Sequence, residues 1–346
     1  MPNDQLFTDL DTLIDAGIPQ VPFRDRSLAV LHFLRALEGH AVGLLKNGDP
    51  EARNADVSLA MDAVDHCMEW ITQVPDLSPA INWADSTIHD VQLCEQFLQQ
   101  ALKYAKMCDL LMVFRQNFLT VEQVSADHVY SFSYASNQHH ELEVTDWSLK
   151  KLLVSNSTQM PQLDTQRIAD GFSVTGPLNH NLMKHVSDDC LRYVYEWMKQ
   201  RDSAEWELSG AIELDGFNLE QSRQFWLVLR TLASINIFIA TDCPGIPFTA
   251  AVPLFNKRAL VDAIVKLTAL DAALAGKLLD YFTYDFGDVK KPLRKSSAIL
   301  QPIFPTGSAL ALSPFLILES NVEGNIFHLL NAKTPKIYDG IKDTKE

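Results

Sequence analysis

The residues of this 346-residue chain whose types suit chemistry are few and scattered. His139, His140 and Glu141 stand together in "SNQHHELEV", and on a strand His139 and Glu141 would share a face, the H-x-E arrangement of zinc deaminases. That chemistry also takes a downstream P-C-x-x-C. Here Cys243 is followed by Pro244 and has no second cysteine beside it, so the histidines read as the polar tip of a hairpin. His185, Asp188 and Asp189 in "MKHVSDDC" form the other candidate metal cluster. On a helix, His185 lies one turn from both carboxylates, spacing that suits an imidazole–carboxylate pair. A metal site there needs further ligands from elsewhere in the fold.

Carboxylates are also dense in "EWELSGAIELDGF", which carries Glu205, Glu207, Glu213 and Asp215 on and just after a strand-like segment. A metal-dependent nuclease needs such acids to hold Mg²⁺ and, by an E-x-K pattern, a lysine to steady the attacking water. No lysine follows at that spacing. Ser148 and Lys151 match S-x-x-K without its partner motifs, and neither GxSxG nor HExxH occurs. Nucleotide cradles of the GxxxxGK[ST] and strand-GxGxxG kinds are missing too, so no cofactor is expected. One basic cluster stands out: Lys290, Lys291, Arg294 and Lys295 in "FGDVKKPLRKSS". Four cations on a loop suit phosphate contact, and Tyr281, Phe282, Tyr284 and Phe286 upstream could stack on bases.

Charge opposes that possibility over the whole molecule. The net charge is −15, and residues 1–120, with 17 acidic and 8 basic side chains, carry −9 of it. Such an N-terminal third repels nucleic acid and anionic lipid and suits solubility or a basic protein partner. The five cysteines are scattered and never form CxxC, which points to buried free thiols. No apolar run reaches the ~18 residues of a bilayer span. The N-terminus lacks the pattern of a secretory signal, so a cytoplasmic protein without membrane contact is expected.

The elements that must position these residues are legible in outline. Residues 27–50 and 54–74 read as amphipathic helices; 84–118 reads as one long helix or two joined near Met107-Cys108, with Asp85 and Ser86 as candidate N-caps. Alternation from Tyr130 to Tyr134, a Ser-Asn-Gln turn, and Leu142 with Val144 predict a hairpin over 128–144. The segment "VSNSTQMPQLDTQ" then reads as a linker. Beyond it, helices are expected at 180–200, from an Asn218/Gln221 capping box, and at 256–282. Strands are expected at 205–214, at "SINIFIA" (234–240) and as a pair in 301–318 turning at Pro305-Thr306-Gly307. The fold class is therefore α+β: a helical domain over 1–126, a hairpin and linker region over 127–176, and a mixed helix and strand domain over 177–346.

Residues 281–330 carry a further pattern: "YFTYD", a "QP" before a strand, an "SP" strand, and "ESNVEGNIFHLL". This order resembles a segment of large, poorly characterised bacterial proteins in which S-N-x-E-R-N leads into a leucine-rich helix. Ser320, Asn321, Glu323 and Asn325 match, and Gly324 stands in place of the arginine. In those proteins the block precedes a restriction-endonuclease-like domain. The resemblance implies that this chain is the non-catalytic part of a nuclease-linked bacterial defence system, with the nuclease beyond residue 346 or in another subunit. From the residues themselves, Ser320 and Glu323 are expected to form a capping box.

The leading expectation is a scaffold or recognition component with a protein partner, and with nucleic acid reached through the 290–295 loop. A metal-dependent hydrolase or nuclease using dispersed carboxylates is the second, and an acidic inhibitor of a basic protein the third.

Overall fold

The computed structural model describes residues 12, 16–45, 50–77, 88–115, 119–125, 129–134, 163–174, 182–202, 212–243, 246, 252–287, 297–320 and 322–333. It is an α+β protein, mostly helical, with a small antiparallel sheet in the C-terminal part. Three long helices lie in the N-terminal part: α1 (Arg26–Leu45), α2 (Pro50–Thr72) and α3 (Ile88–Arg115). The last runs unbroken through Met107-Cys108. Asp25 caps α1, accepting the Leu28 N–H at 3.0 Å, and its second oxygen accepts the Leu77 N–H at 2.9 Å. The start of α1 is thereby tied to the end of α2.

A hairpin follows, but one segment earlier than the sequence suggests. Strand β1 (Leu119–Ser125) pairs with β2 (Val129–Tyr134), Val121 facing Phe132, with a bulge between Gln123 and Ser125. The alternating residues 130–134 thus find their partner upstream, and the expected turn at 136–138 and strand at 142–144 lie outside the described residues.

After α4 (Thr165–Asp170), the expected helix over 180–200 is split. Leu182–His185 form a 3-10 turn, Val186 bridges to Phe172, and α5 starts only at Asp188 and runs to Asp202. The expected strand at 205–214 lies mostly outside the described residues. Its end makes a tight turn, Glu213 bridging to Asn218, through Gly216 at a φ of 71° that favours glycine.

The largest correction concerns "SINIFIA". These residues are the last turns of α6 (Leu219–Asp242), not a strand. Asn218 and Gln221 form the capping box that launches it, accepting and donating across at 2.9 and 2.8 Å. The β-branched run stays helical because α6 is buried nearly all round, with Trp226, Val228, Leu229, Ile235 and Ile239 almost wholly covered, and packing overrides propensity. Of the described helices, α6 alone is long and apolar enough to cross a membrane, and 72% of its apolar window is buried inside the protein. The segment 256–282 becomes two helices, α7 (Lys257–Leu267) and α8 (Ala272–Tyr281), capped by Asn256 and Asp271.

The sheet is built from β3 (Leu254–Phe255), β4 (Ile303–Thr306) and β5 (Ala309–Leu312), in the order β3-β5-β4. Pro305 sits on the edge strand, where its missing N–H costs no ladder bond. "SPFLIL" does not continue as a strand: Ser313 accepts the Leu316 N–H, Pro314 takes the first helical position, and α9 runs Pro314–Glu319 before α10 (Val322–Lys333).

Two hydrophobic cores flank this sheet. One gathers α5–α8 and α10 around Trp226, Phe225 and Phe282. The other gathers α1–α3 around Leu31, Phe33, Leu34 and Met68. Leu254, Phe304 and Ala311 belong to the second core, while their chain neighbours Phe255, Ile303 and Leu312 belong to the first. Alternate residues point to opposite faces of a strand, so the sheet acts as the wall between the two cores.

Candidate functional site

The sequence-proposed residues do not converge. Lys290, Lys291, Arg294 and Lys295 lie outside the described residues, as do His139, His140, Glu141, Ser148, Lys151, Glu205 and Glu207. His185 closes the 3-10 turn with its ring edge-on to Phe172, centroids 6.1 Å apart. Asp188 and Asp189 begin a separate helix, and Asp188 pairs with Lys266. The helical i+3 and i+4 spacing thus fails, because residues 185 and 188 are not in one helix. Among the described residues, no group of three or more metal-type side chains is close enough to hold an ion.

The S-N-x-E-x-N residues are structural, though not as a capping box. The Ser320 hydroxyl donates to the carbonyls of Leu316 and Ile299, at 2.5 and 3.2 Å, instead of accepting from a helix N–H. Glu323 turns away to Arg223, 2.6 Å distant, on α6. Asn325 donates to the Ile299 carbonyl at 3.0 Å, and buried Arg230 donates to the Ser320 carbonyl at 3.0 Å. Asn321 lies outside the described residues. Together these contacts pin the α9–α10 junction onto α6 and onto the turn at residue 299.

Sequence reasoning passed over the most perturbed carboxyl. Glu38, on α1, is 1% exposed. It accepts the Ser313 hydroxyl at 2.7 Å and the Phe315 N–H with both oxygens, at 3.2 and 3.1 Å. Burial pushes its carboxyl up to about 8, against the opposing pull of those two donors. Six residues earlier on the same helix, burial and the charge of Arg35 bring His32 down to about 4, with Asp90 acting in the other direction. Burial also lowers Arg35, to about 10. The sequence did hold a signal: Glu38 follows Leu34 at i+4 and Leu31 at i+7, on the face that those leucines mark as apolar.

A second carboxyl acts alike. Asp65, on α2, accepts the Ala298 N–H at 2.7 Å and the Ser297 hydroxyl at 3.1 and 2.9 Å. Next to it, Gln301 is 1% exposed and donates to the Tyr281 and Thr283 carbonyls at 2.9 and 2.8 Å. These groups brace backbone, and their hydrogen bonds leave little capacity for a substrate.

Among the described residues there is an open cleft of about 410 Å³ between α5, α6 and the α7–α8 turn. Leu227, Leu267 and Ala269 supply apolar lining, while Tyr195, Glu196, Lys199, Glu220, Arg223, Gln224 and Thr268 supply polar groups. Burial, with help from Glu196 and Glu220, raises the Tyr195 hydroxyl to about 12, so it stays a neutral donor. Glu220, Arg223, Gln224 and Leu227 recur at helical spacing on α6, a face that the sequence displays. That α5 lies along it is a tertiary fact. Set beside known proteins, the chain matches no family model, no curated protein and no solved structure.

Proposed function

We propose that this protein is a non-catalytic scaffold or recognition component of a protein assembly, with the acidic N-terminal helices as its docking face. Nuclease-linked bacterial defence is the setting that the resemblance of residues 281–330 suggests. The observation that supports the reading is how the carboxyls of buried Glu38 and half-buried Asp65 are used. Glu38 and Asp65 each hold backbone from the far end of the chain, which ties the helical bundle to the C-terminal unit. Stiffness favours recognition, because a preorganised surface loses little freedom on binding. Outward from α2 and α3, Asp62, Glu69 and Glu95 stay exposed and offer negative charge to a basic partner.

Photo-crosslinking in cells tests the proposal. A crosslinker in place of Glu69 is expected to trap a protein partner, whereas one in place of Arg258, on the distant surface of α7, is not. Trapping should fail when Asp62 and Glu95 are changed to lysine. Purified chain that cleaves DNA or RNA with Mg²⁺, and stops doing so on Glu213→Ala or Asp215→Ala, overturns the proposal in favour of a nuclease.

A further inference from the structure

The cleft between α5, α6 and the α7–α8 turn contains polar groups that the fold leaves unused. Gln224 donates through Nε2 to Glu220 at 3.3 Å, but its Oε1 is buried and accepts nothing. Glu196 and Lys199 both line the cleft and are both exposed, and among the described residues no hydrogen bond or ion pair engages either one. They stand one helical turn apart on α5 without pairing. Arg223, by contrast, is already neutralised by Glu323 at 2.6 Å, with Glu220 at 3.7 Å. The site therefore retains one anion and one cation beside an apolar patch of Leu227 and Leu267.

We propose that this cleft binds a small zwitterion, an amino acid or a peptide of two or three residues. Its ammonium faces Glu196, its carboxylate faces Lys199, and an apolar side chain covers Leu227 and Leu267. Size agrees, since the concavity of about 410 Å³ falls within the range of small-ligand sites. Spacing agrees as well. Side chains three apart on a helix lie ~5–6 Å from each other at Cβ, and an extended peptide advances ~3.3–3.6 Å per residue. The two termini of a dipeptide thus match the separation of Glu196 and Lys199. A ligand with a single charge would leave one of these groups without a partner.

Calorimetric titration of the full chain tests this with four probes: L-leucine, the dipeptide Leu-Leu, its N-acetyl form and its C-terminal amide. Binding of L-leucine or Leu-Leu is expected, and whichever is tighter tells a free amino acid from a peptide. N-acetylation and C-amidation should each weaken binding at least tenfold. Lys199→Met should weaken Leu-Leu at least tenfold and weaken the amide, which has already lost its carboxylate, by less than twofold. Lys199→Glu serves as the second variant and should weaken Leu-Leu at least as much without weakening the cationic amide. Equal affinity for free and blocked dipeptides, or no binding of either zwitterion at a Kd tighter than ~10 mM, overturns the proposal.

Discussion

Replacing Glu38 by glutamine should change how stability depends on pH. The folded carboxyl titrates at about 8, above its ordinary value of 4.5, because burial penalises the charge. A group whose folded value is raised contributes stability that is complete below the unfolded value and is lost as pH rises through the folded one. Over the whole range from 4.5 to about 8 the linkage amounts to roughly 5 kcal/mol at ~1.4 kcal/mol per unit. Part of that range is shared. His32 is lowered to about 4 and His40 is lowered too, both by burial, so their contributions grow as pH rises toward 6.5 and oppose Glu38 there. Between pH 6.5 and 8 the histidines have finished and Glu38 still titrates, and the buried thiols Cys67 and Cys94, pushed up by burial, ionise later. Wild-type unfolding free energy should then fall by roughly 2 kcal/mol across this window, at a limiting slope of ~1.4 kcal/mol per pH unit. Glutamine keeps the shape and an oxygen for Ser313 and Phe315, so Glu38→Gln should be flat over the same window. Urea denaturation at closely spaced pH values gives both curves. Parallel slopes for the two proteins, or wild-type stability rising with pH from 6.5 to 8, refute the assignment.

Asp65→Ala should destabilise by ~1–3 kcal/mol, since it strands the Ala298 N–H and the Ser297 hydroxyl; in denaturant melts, adding Ser297→Ala should cost less than it does alone. Gln301→Leu fills similar space but leaves the Tyr281 and Thr283 carbonyls without their donor, so a loss of ~2 kcal/mol or more is expected by the same measurement. At Gly171 a side chain would place its Cβ 2.5 Å from Cys190 Cβ, so Gly171→Ala should lower stability by ~1–3 kcal/mol. An unchanged melting temperature would mean that α4 and α5 separate freely.

How far the sequence carried depended on whether local spacing or remote packing decided the outcome. The three opening helices follow from apolar recurrence: in α2 and α3 an exposed face leaves a visible period, whereas α1 is buried on all sides from Ala29 to Glu38 and shows its period only because His32, Arg35 and Glu38 interrupt the leucines. The capping box at Asn218 was legible for a similar reason, being settled within four residues. "SINIFIA" was not, since a helix buried all round loses its polar face and shows only composition, which its β-branched residues tilted toward strand. Ser320 and Glu323 had the spacing of a box, yet Arg223 and the Ile299 carbonyl, remote in sequence, drew their side chains away. The cleft was half legible: α6 displays its contribution at regular spacing, but Glu196 and Lys199 gain meaning only once α5 lies beside it.

The run "SALALSPFLIL" is apolar throughout for a reason that involves both cores. A strand with one wet face alternates, whereas β5 hands Ala311 to the N-terminal core and Leu312 to the other, so neither parity is polar. Such a strand has a weak register, because a slip by one residue exchanges two apolar sets without exposing either to water. The N-terminal helix supplies the missing constraint. At the hairpin turn the Gly307 N–H donates to the Ser27 hydroxyl at 2.9 Å, and just beyond β5 Ser313 and Phe315 donate to Glu38. Ser27 and Glu38 are eleven residues apart on α1, a separation of ~16 Å at the helical rise. The strand between Gly307 and Ser313 can meet both anchors in only one register. Slipping it would leave the buried Glu38 carboxyl without its donors and take the Gly307 N–H from the Ser27 hydroxyl, which Asp76 would still hold. The buried polar residues of α1 therefore select the register of the sheet, and hydrophobic burial alone does not.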